Sequence, residues 1–194
     1  MINNIGLTGS TGMLGKHLIH FFLKNQINII ATSRKPLKYK NKYVNWKKLD
    51  LLKLKNEKQL NSVFRNIKTI IHLGAFVPKS NYLQDKKKID ATNLKPTFII
   101  SNWAKKKNIH LIYLSGAIVY KNNNLKKLSE SSKLNNSFKK DYYGRSKKNC
   151  DIYLQKKIKL GNKVTILRPT SIYGYGLNSN KIIVKLIQFS KSNK

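Results

Sequence analysis

Short apolar runs alternate along the chain with longer amphipathic stretches. The runs predict strands over Asn4–Thr8, Asn28–Ser33, Tyr43–Leu49, Thr69–Leu73, Asn108–Leu114 and Val164–Leu167. Between them, apolar positions recur at helical spacing. Helices are expected over Gly12–Asn25, Leu54–Arg65 (through Leu54, Leu60, Val63 and Phe64), Lys88–Lys107, Asp141–Leu160 and Lys181–Phe189. Pro96 has no N–H, so it must kink the third of these or mark its true start. Lys35–Lys42 reads as a basic loop and Lys121–Lys140 as a long polar one. Strands separated by helices of about ten or more residues predict an α/β fold, a doubly wound parallel sheet with helices on both faces.

Composition narrows the class. The chain has 194 residues, of which 40% are hydrophobic. That suits one domain burying roughly 70% of its unfolded surface and excludes wholesale disorder. No apolar run approaches the roughly 18 residues of a membrane helix, so no membrane association is expected. The opening residues show neither the basic nor the apolar region of a secretory leader. Cys150 is the only cysteine. An internal disulfide and a cysteine-based zinc site are thereby excluded, and the expected location is the reducing cytoplasm. His72 has no second ligand spaced to join it, so no metal is expected.

The net charge is +33. Only Arg34, Arg65, Arg145 and Arg168 are arginines, although bidentate phosphate contacts favour arginine over lysine. The lysines are spread throughout, with short clusters at Lys86–Lys88, Lys105–Lys107 and Lys156–Lys157. Two readings stay open, a solvated surface of biased composition and an affinity for polyanions. Non-specific adhesion to nucleic acid at low salt is expected in both.

Candidate chemistry begins at Thr8-Gly9-Ser10-Thr11-Gly12-Met13-Leu14-Gly15, between the first strand and the first helix. The first glycine permits a tight turn, the second lets backbone approach a pyrophosphate, and the third lets helix pack on strand. Free N–H groups and the helix dipole then hold phosphates. This context makes the expected fold Rossmann-type. An acidic residue usually follows the second strand and holds the adenosine ribose. Here no Asp or Glu precedes Asp50, and Ser33-Arg34-Lys35 stands in that place. A cation there suits a 2′-phosphate, so the expected cofactor is NADP or NAD, with NADP preferred.

Further on, Tyr143 and Lys147 are spaced i, i+4, one turn apart on one helix face. An ammonium beside a phenol lowers its pKa towards the range useful for proton transfer. In a chain rich in Tyr and Lys this pairing alone is weak. Its place after a nucleotide loop, and after an apolar strand ending at Ser115, is what singles it out.

Taken in order, these segments resemble the extended short-chain dehydrogenase/reductase superfamily, the NAD(P)-dependent nucleotide-sugar epimerases and dehydratases. Thr8–Gly15 resembles the TGxxGxxG loop. Leu49-Asp50-Leu51 resembles the acidic position at the adenine. Ile71-His72-Leu73-Gly74-Ala75 resembles the HLAA segment along the cofactor, and Asn93 falls where the family keeps an Asn. Tyr113–Tyr120 resembles the strand ending SSxxVYG, Glu130 the acid that follows, and Tyr143–Lys147 the YxxxK motif. Arg168-Pro169-Thr170-Ser171-Ile172-Tyr173-Gly174 resembles RPxxxYG at the nicotinamide.

The resemblance implies that Tyr143 is the acid/base and that Lys147 holds the nicotinamide ribose. It also implies cofactor contacts from Asp50, Leu51, Leu73, Gly74, Ala75, Asn93, Pro169 and Ile172, beside the glycine loop and Arg34. The family's catalytic Ser or Thr aligns with Gly116, which leaves Ser115 as the hydroxyl at hand. Neighbouring strand residues face opposite sides, so Ser115 replaces it only if the strand end bulges. Members continue into a carboxy-terminal substrate lobe. Residues 1–176 are therefore expected to form the NAD(P)-binding domain and 177–194 the start of a lobe that is mostly absent.

The implied function is hydride transfer on a nucleotide-linked sugar, as epimerase, dehydratase or reductase. The alternatives are a catalytically weak cofactor-binding sensor or scaffold, resting on Gly116, and a basic nucleic-acid-binding protein on the same fold. A homodimer is a further expectation, through the apolar stretch Phe98–Trp103.

Overall fold

A computed structural model of the chain describes residues 4–35, 41–78, 84–121, 127–138, 141–176 and 182–192. Residues 36–40 of the expected basic loop, 122–126 and 139–140 of the long loop, and Lys181 lie outside the described residues. The elements run β1 (Asn4–Thr8), α1 (Met13–Lys24), β2 (Ile29–Ser33), β3 (Val44–Lys48), α2 (Glu57–Val63), β4 (Ile67–His72), α3 (Gln84–Ile89), α4 (Lys95–Lys106), β5 (His110–Leu114), α5 (Tyr142–Lys159), β6 (Val164–Leu167) and α6 (Ile182–Ser192). Single 3₁₀ turns cover Leu51–Lys53 and Ala117–Val119.

All six strands pair in parallel, in the order β3-β2-β1-β4-β5-β6. β2 is buried along its whole length, as a strand covered on both faces must be. On one face Ile19 and Phe22 of α1 pack with Leu7, Ile29, Ala31 and Val44. On the other, Leu60, Ile100, Trp103 and Leu154 of α2, α4 and α5 pack with Ile70 and Leu111. Ile70 and Ile71 are neighbours on β4 and join different clusters, so the layers lie on opposite faces. This is the doubly wound Rossmann-type sheet that the alternation predicts. Its strand order reverses between β1 and β4, so a crevice opens at the carboxyl ends of those strands.

Two elements differ from their expected form. The helix expected over Leu54–Arg65 starts only at Glu57, because Asn56 and Gln59 form a reciprocal capping box there. Leu54 is buried from the preceding loop, so it mimics helical spacing without being helical. The helix around Pro96 is continuous from Gln84 to Lys106 but contains a wide π turn, Asp90–Leu94. Pro96 cannot donate to the carbonyl of Thr92, and its ring crowds that carbonyl. The wide turn relieves both, with the Lys95 N–H reaching back to the carbonyl of Asp90.

Candidate functional site

β1 ends at the glycine loop. Gly9 has φ +72°, and a Cβ there would meet the Gly74 nitrogen at 2.7 Å. Gly15 is buried, and a Cβ on it would strike the Gly9 carbonyl and the Ser10 backbone. These two glycines thus let α1 start directly against the ends of β1 and β4. Ser10, expected to touch the cofactor, is fully buried. Its hydroxyl donates to the Leu7 carbonyl and accepts from the Thr32 N–H, so it braces the loop from beneath. No side chain caps α1. Its first-turn N–H groups remain available to an anion.

A cavity of about 340 Å³ opens in front of this loop. Gly9, Thr11 and Gly12 form its floor, Ser33, Arg34, Asp50 and Leu51 one wall, and Leu73, Gly74 and Ala75 the other. Asp50 also caps the Leu51–Lys53 turn by accepting from the Leu52 N–H. Phe76, Lys88 and Thr92 line the cavity as well, and the sequence reading missed them. Lys88 lies 4.1 Å from the centroid of the Phe76 ring. The one signal that could have found two of them is that Phe76 follows the HLAA-like segment and Thr92 precedes Asn93.

A directed chain of buried hydrogen bonds ties that wall to α5. Gly74 N–H donates to Thr8 Oγ1 at 3.3 Å. Thr97 Oγ1 gives its proton to the Asn93 carbonyl, so it can only accept from His72 Nε2. His72 therefore carries its proton on Nε2, and Nδ1 accepts from Thr8 Oγ1 at 2.6 Å. Burial, with the Lys147 charge, lowers the His72 pKa to about 3. The Asn93 amide is spent on the backbone N–H and carbonyl of Phe76 and on Ser146 Oγ. Asn93 is 2% exposed, so it shapes the cavity wall and is not turned to a ligand.

His72 makes stability depend on pH. The unfolded chain takes up this proton near pH 6.5, the folded chain only near 3. Stability is lost as pH falls from about 6.5 towards 3, by up to about 1.4 kcal/mol per unit. Denaturant titrations at several pH values should show this slope in the native chain and a slope smaller by one proton in His72→Gln. Equal slopes would contradict it.

Tyr143 and Lys147 share a face of α5, with Lys147 Nζ 5.8 Å from the Tyr143 ring centroid. Lys147 is buried, donates to the Leu114 carbonyl at 2.7 Å, and burial lowers its pKa to about 8. The expected fall in the Tyr143 pKa is not found. Burial and the Asp141 carboxylate, which caps α5, push it upwards. The phenol is therefore held protonated.

Ser115 does not reach the cleft either. Its hydroxyl is buried without a hydrogen-bond partner near the Asp151 carboxyl, whose pKa burial pushes up. The strand end does not bulge to turn it round, and Gly116 faces the open side. Pro169 accepts the Ala117 N–H, and Ile172 is exposed. Sequence reasoning also missed the ion pair Asp151–Arg168 beneath these residues. Among the described residues, no group of His, Cys, Asp and Glu could hold a metal ion, and no helix is long and apolar enough to cross a membrane.

Solved structures share this fold. One is the UDP-N-acetylglucosamine 4-epimerase of Methanobrevibacter ruminantium in complex with UDP-N-acetylmuramic acid, at TM-score 0.82 and 20% identity, over 100% of this chain and 64% of that one. Another is the dTDP-glucose 4,6-dehydratase of Bacillus anthracis with NAD, at TM-score 0.79 and 20% identity, over 99% and 62%. A third is the UDP-glucuronic acid 4-epimerase of Bacillus cereus with NAD, at TM-score 0.77 and 20% identity, over 98% and 64%. The chain thus spans a little over three fifths of their length. A hybrid PKS-NRPS synthetase, xenE of Xenoacremonium sinensis, is 30% identical over 203 aligned residues, which cover 96% of this chain and 5% of that protein. The sequence profile of one family matches residues 5–193. The chain belongs to the NAD dependent epimerase/dehydratase family.

Proposed function

We propose that the chain binds NAD(P) in the cavity at the glycine loop and acts by hydride transfer on a nucleotide-linked sugar, as an epimerase, dehydratase or reductase. One observation carries this reading. An uncapped helix start, a glycine floor and the Asp50–Leu51 wall converge on one cavity, with Tyr143 and Lys147 on the helix that follows β5. The residues fit the cofactor: at Gly12 an added Cβ would meet only the Gly9 carbonyl, at 3.3 Å, so the floor leaves room for a pyrophosphate. Relatives of the same fold were solved with NAD or with a nucleotide sugar. When bound, the nicotinamide supplies the hydride acceptor and donor.

In this reading Tyr143 holds or moves the proton at the reacting sugar oxygen. Its phenol starts protonated, so it donates in the reductive direction without a prior step. Lys147, anchored on Leu114, directs its positive charge to the ribose side. The stacked Phe98 and Tyr153 rings on α4 and α5 are the face on which a second copy would pack, since Ile100 and Trp103 of the expected stretch are used in the core. The test of the function is to mix the protein and NAD(P) with a panel of UDP- and dTDP-hexoses. A change in the nicotinamide's redox state, an isomerised sugar or a sugar that has lost water is expected, and none of these with any sugar would contradict it.

NADP is the preferred cofactor in this proposal, because Arg34 lines the cavity and Arg34-Lys35, not an acidic residue, stand directly after β2. Arg34→Ala should weaken NADPH binding about tenfold, the worth of one charge-assisted hydrogen bond, and leave NADH within about twofold. Equal losses would assign Arg34 to general charge.

A second reading rests on Gly116. Without a hydroxyl there, the chain is a cofactor-binding protein of weak turnover. It predicts tight NAD(P)H binding with no sugar converted.

A further inference from the structure

Asp151 and Arg168 form a buried ion pair, Nε to Oδ2 at 2.6 Å, with side chains 0% and 11% exposed. Such pairs seldom stabilise a fold more than an apolar pair of the same size, because desolvation cancels the attraction. Stability alone does not account for this one, and its geometry offers another role. Arg168 Nη1 donates to Tyr120 Oη at 2.9 Å and to the Glu130 carbonyl at 3.2 Å. One guanidinium thereby joins the end of β6, the end of the Ala117–Val119 turn, the segment 127–138 and α5. Asp151 lies one turn beyond Lys147 and two beyond Tyr143, on their face of α5. The same segment meets α5 again at its start, where Phe138 packs so closely on Gly144 that a Cβ there would lie 2.7 Å from the ring.

We propose that Arg168 is a positioning residue: held by Asp151, it fixes the 127–138 segment through Tyr120 and the Glu130 carbonyl, so that the segment forms a wall beside Tyr143 at the substrate end of the cleft. The substrate end rests on the function proposed above; the anchoring does not. The two halves of the segment are held differently. Residues 133–135 bond through their backbone to residues 119–121, whereas the Glu130 carbonyl depends on Arg168.

Limited trypsin digestion separates them. In the double variant Asp151→Leu/Arg168→Met the apolar pair keeps the core filled. Cleavage after Lys127 should rise about tenfold, because cutting follows the population of the opened segment. Cleavage after Lys133 is the internal reference. Tyr120→Phe keeps the ion pair and removes one link, and should raise cleavage after Lys127 about threefold. If the double variant does not fold, this variant decides alone. Cleavage after Lys127 unchanged relative to Lys133 would overturn the proposal. The readout needs no cofactor, so it stands apart from whether the chain binds NAD(P)H. With turnover in hand, the double variant should raise the sugar-nucleotide KM several-fold while NADH affinity stays within about twofold. A KM equal to that of the native chain would overturn the wall's place at the substrate.

Discussion

Gly116→Ser should raise turnover by about 10²–10³-fold, the usual worth of one hydrogen-bond donor at a developing oxyanion. The backbone permits the change. Gly116 has φ −179° and ψ 154°, an extended conformation open to any residue. A Cβ there would meet only Ile118 Cγ2 at 3.7 Å and the Pro169 carbonyl at 3.9 Å, both ordinary contacts. Ser115 is buried and Gly116 is half-buried, so a side chain at 116 points to the opposite, more open side. The variant should fold like the parent and bind NAD(P)H equally. Steady-state rates with the best sugar of the panel would check it. An unchanged or lower rate would mean that another group already supplies the donor.

Tyr143→Phe should lower turnover by about 10²–10⁴-fold, the range for a lost general acid–base. Cofactor affinity should stay within about twofold, because the phenol's hydroxyl is not part of the glycine-loop cavity. The ring packs in the same volume, so the fold should not change. Pre-steady-state rates beside a binding titration separate the two effects. Unchanged turnover would remove Tyr143 from the mechanism, and a joint loss of binding would make its role structural.

Much of this architecture was legible because the local signals agreed. The apolar alternation pointed to six strands in parallel, and the glycines at 9 and 15 marked a place where the first helix, the loop and the end of β4 approach backbone to backbone. The bounds of α2 were less legible, since burial of Leu54 from a loop imitates a helical face. At the site, position was readable but environment was not. The Tyr143–Lys147 spacing is fixed by helix geometry, yet the direction of the Tyr143 pKa depends on burial and on Asp141, which no spacing reveals. Asn93 and Ser10 were placed beside the cofactor by their motifs. The fold uses their polar groups internally, because buried polar atoms must be satisfied. The Asp151–Arg168 pair joins two elements, and nothing in the sequence around either residue names its partner.

The cofactor cavity is the claim on which the rest depends, and a titration with NADPH and NADH tests it most directly. Cofactor fluorescence would be followed in about 0.3 M salt, where the screening length is only several ångströms and surface lysines contribute little. Saturable binding of one cofactor per chain, tighter for NADPH, is the result this account predicts. Absence of saturation with either cofactor would contradict it.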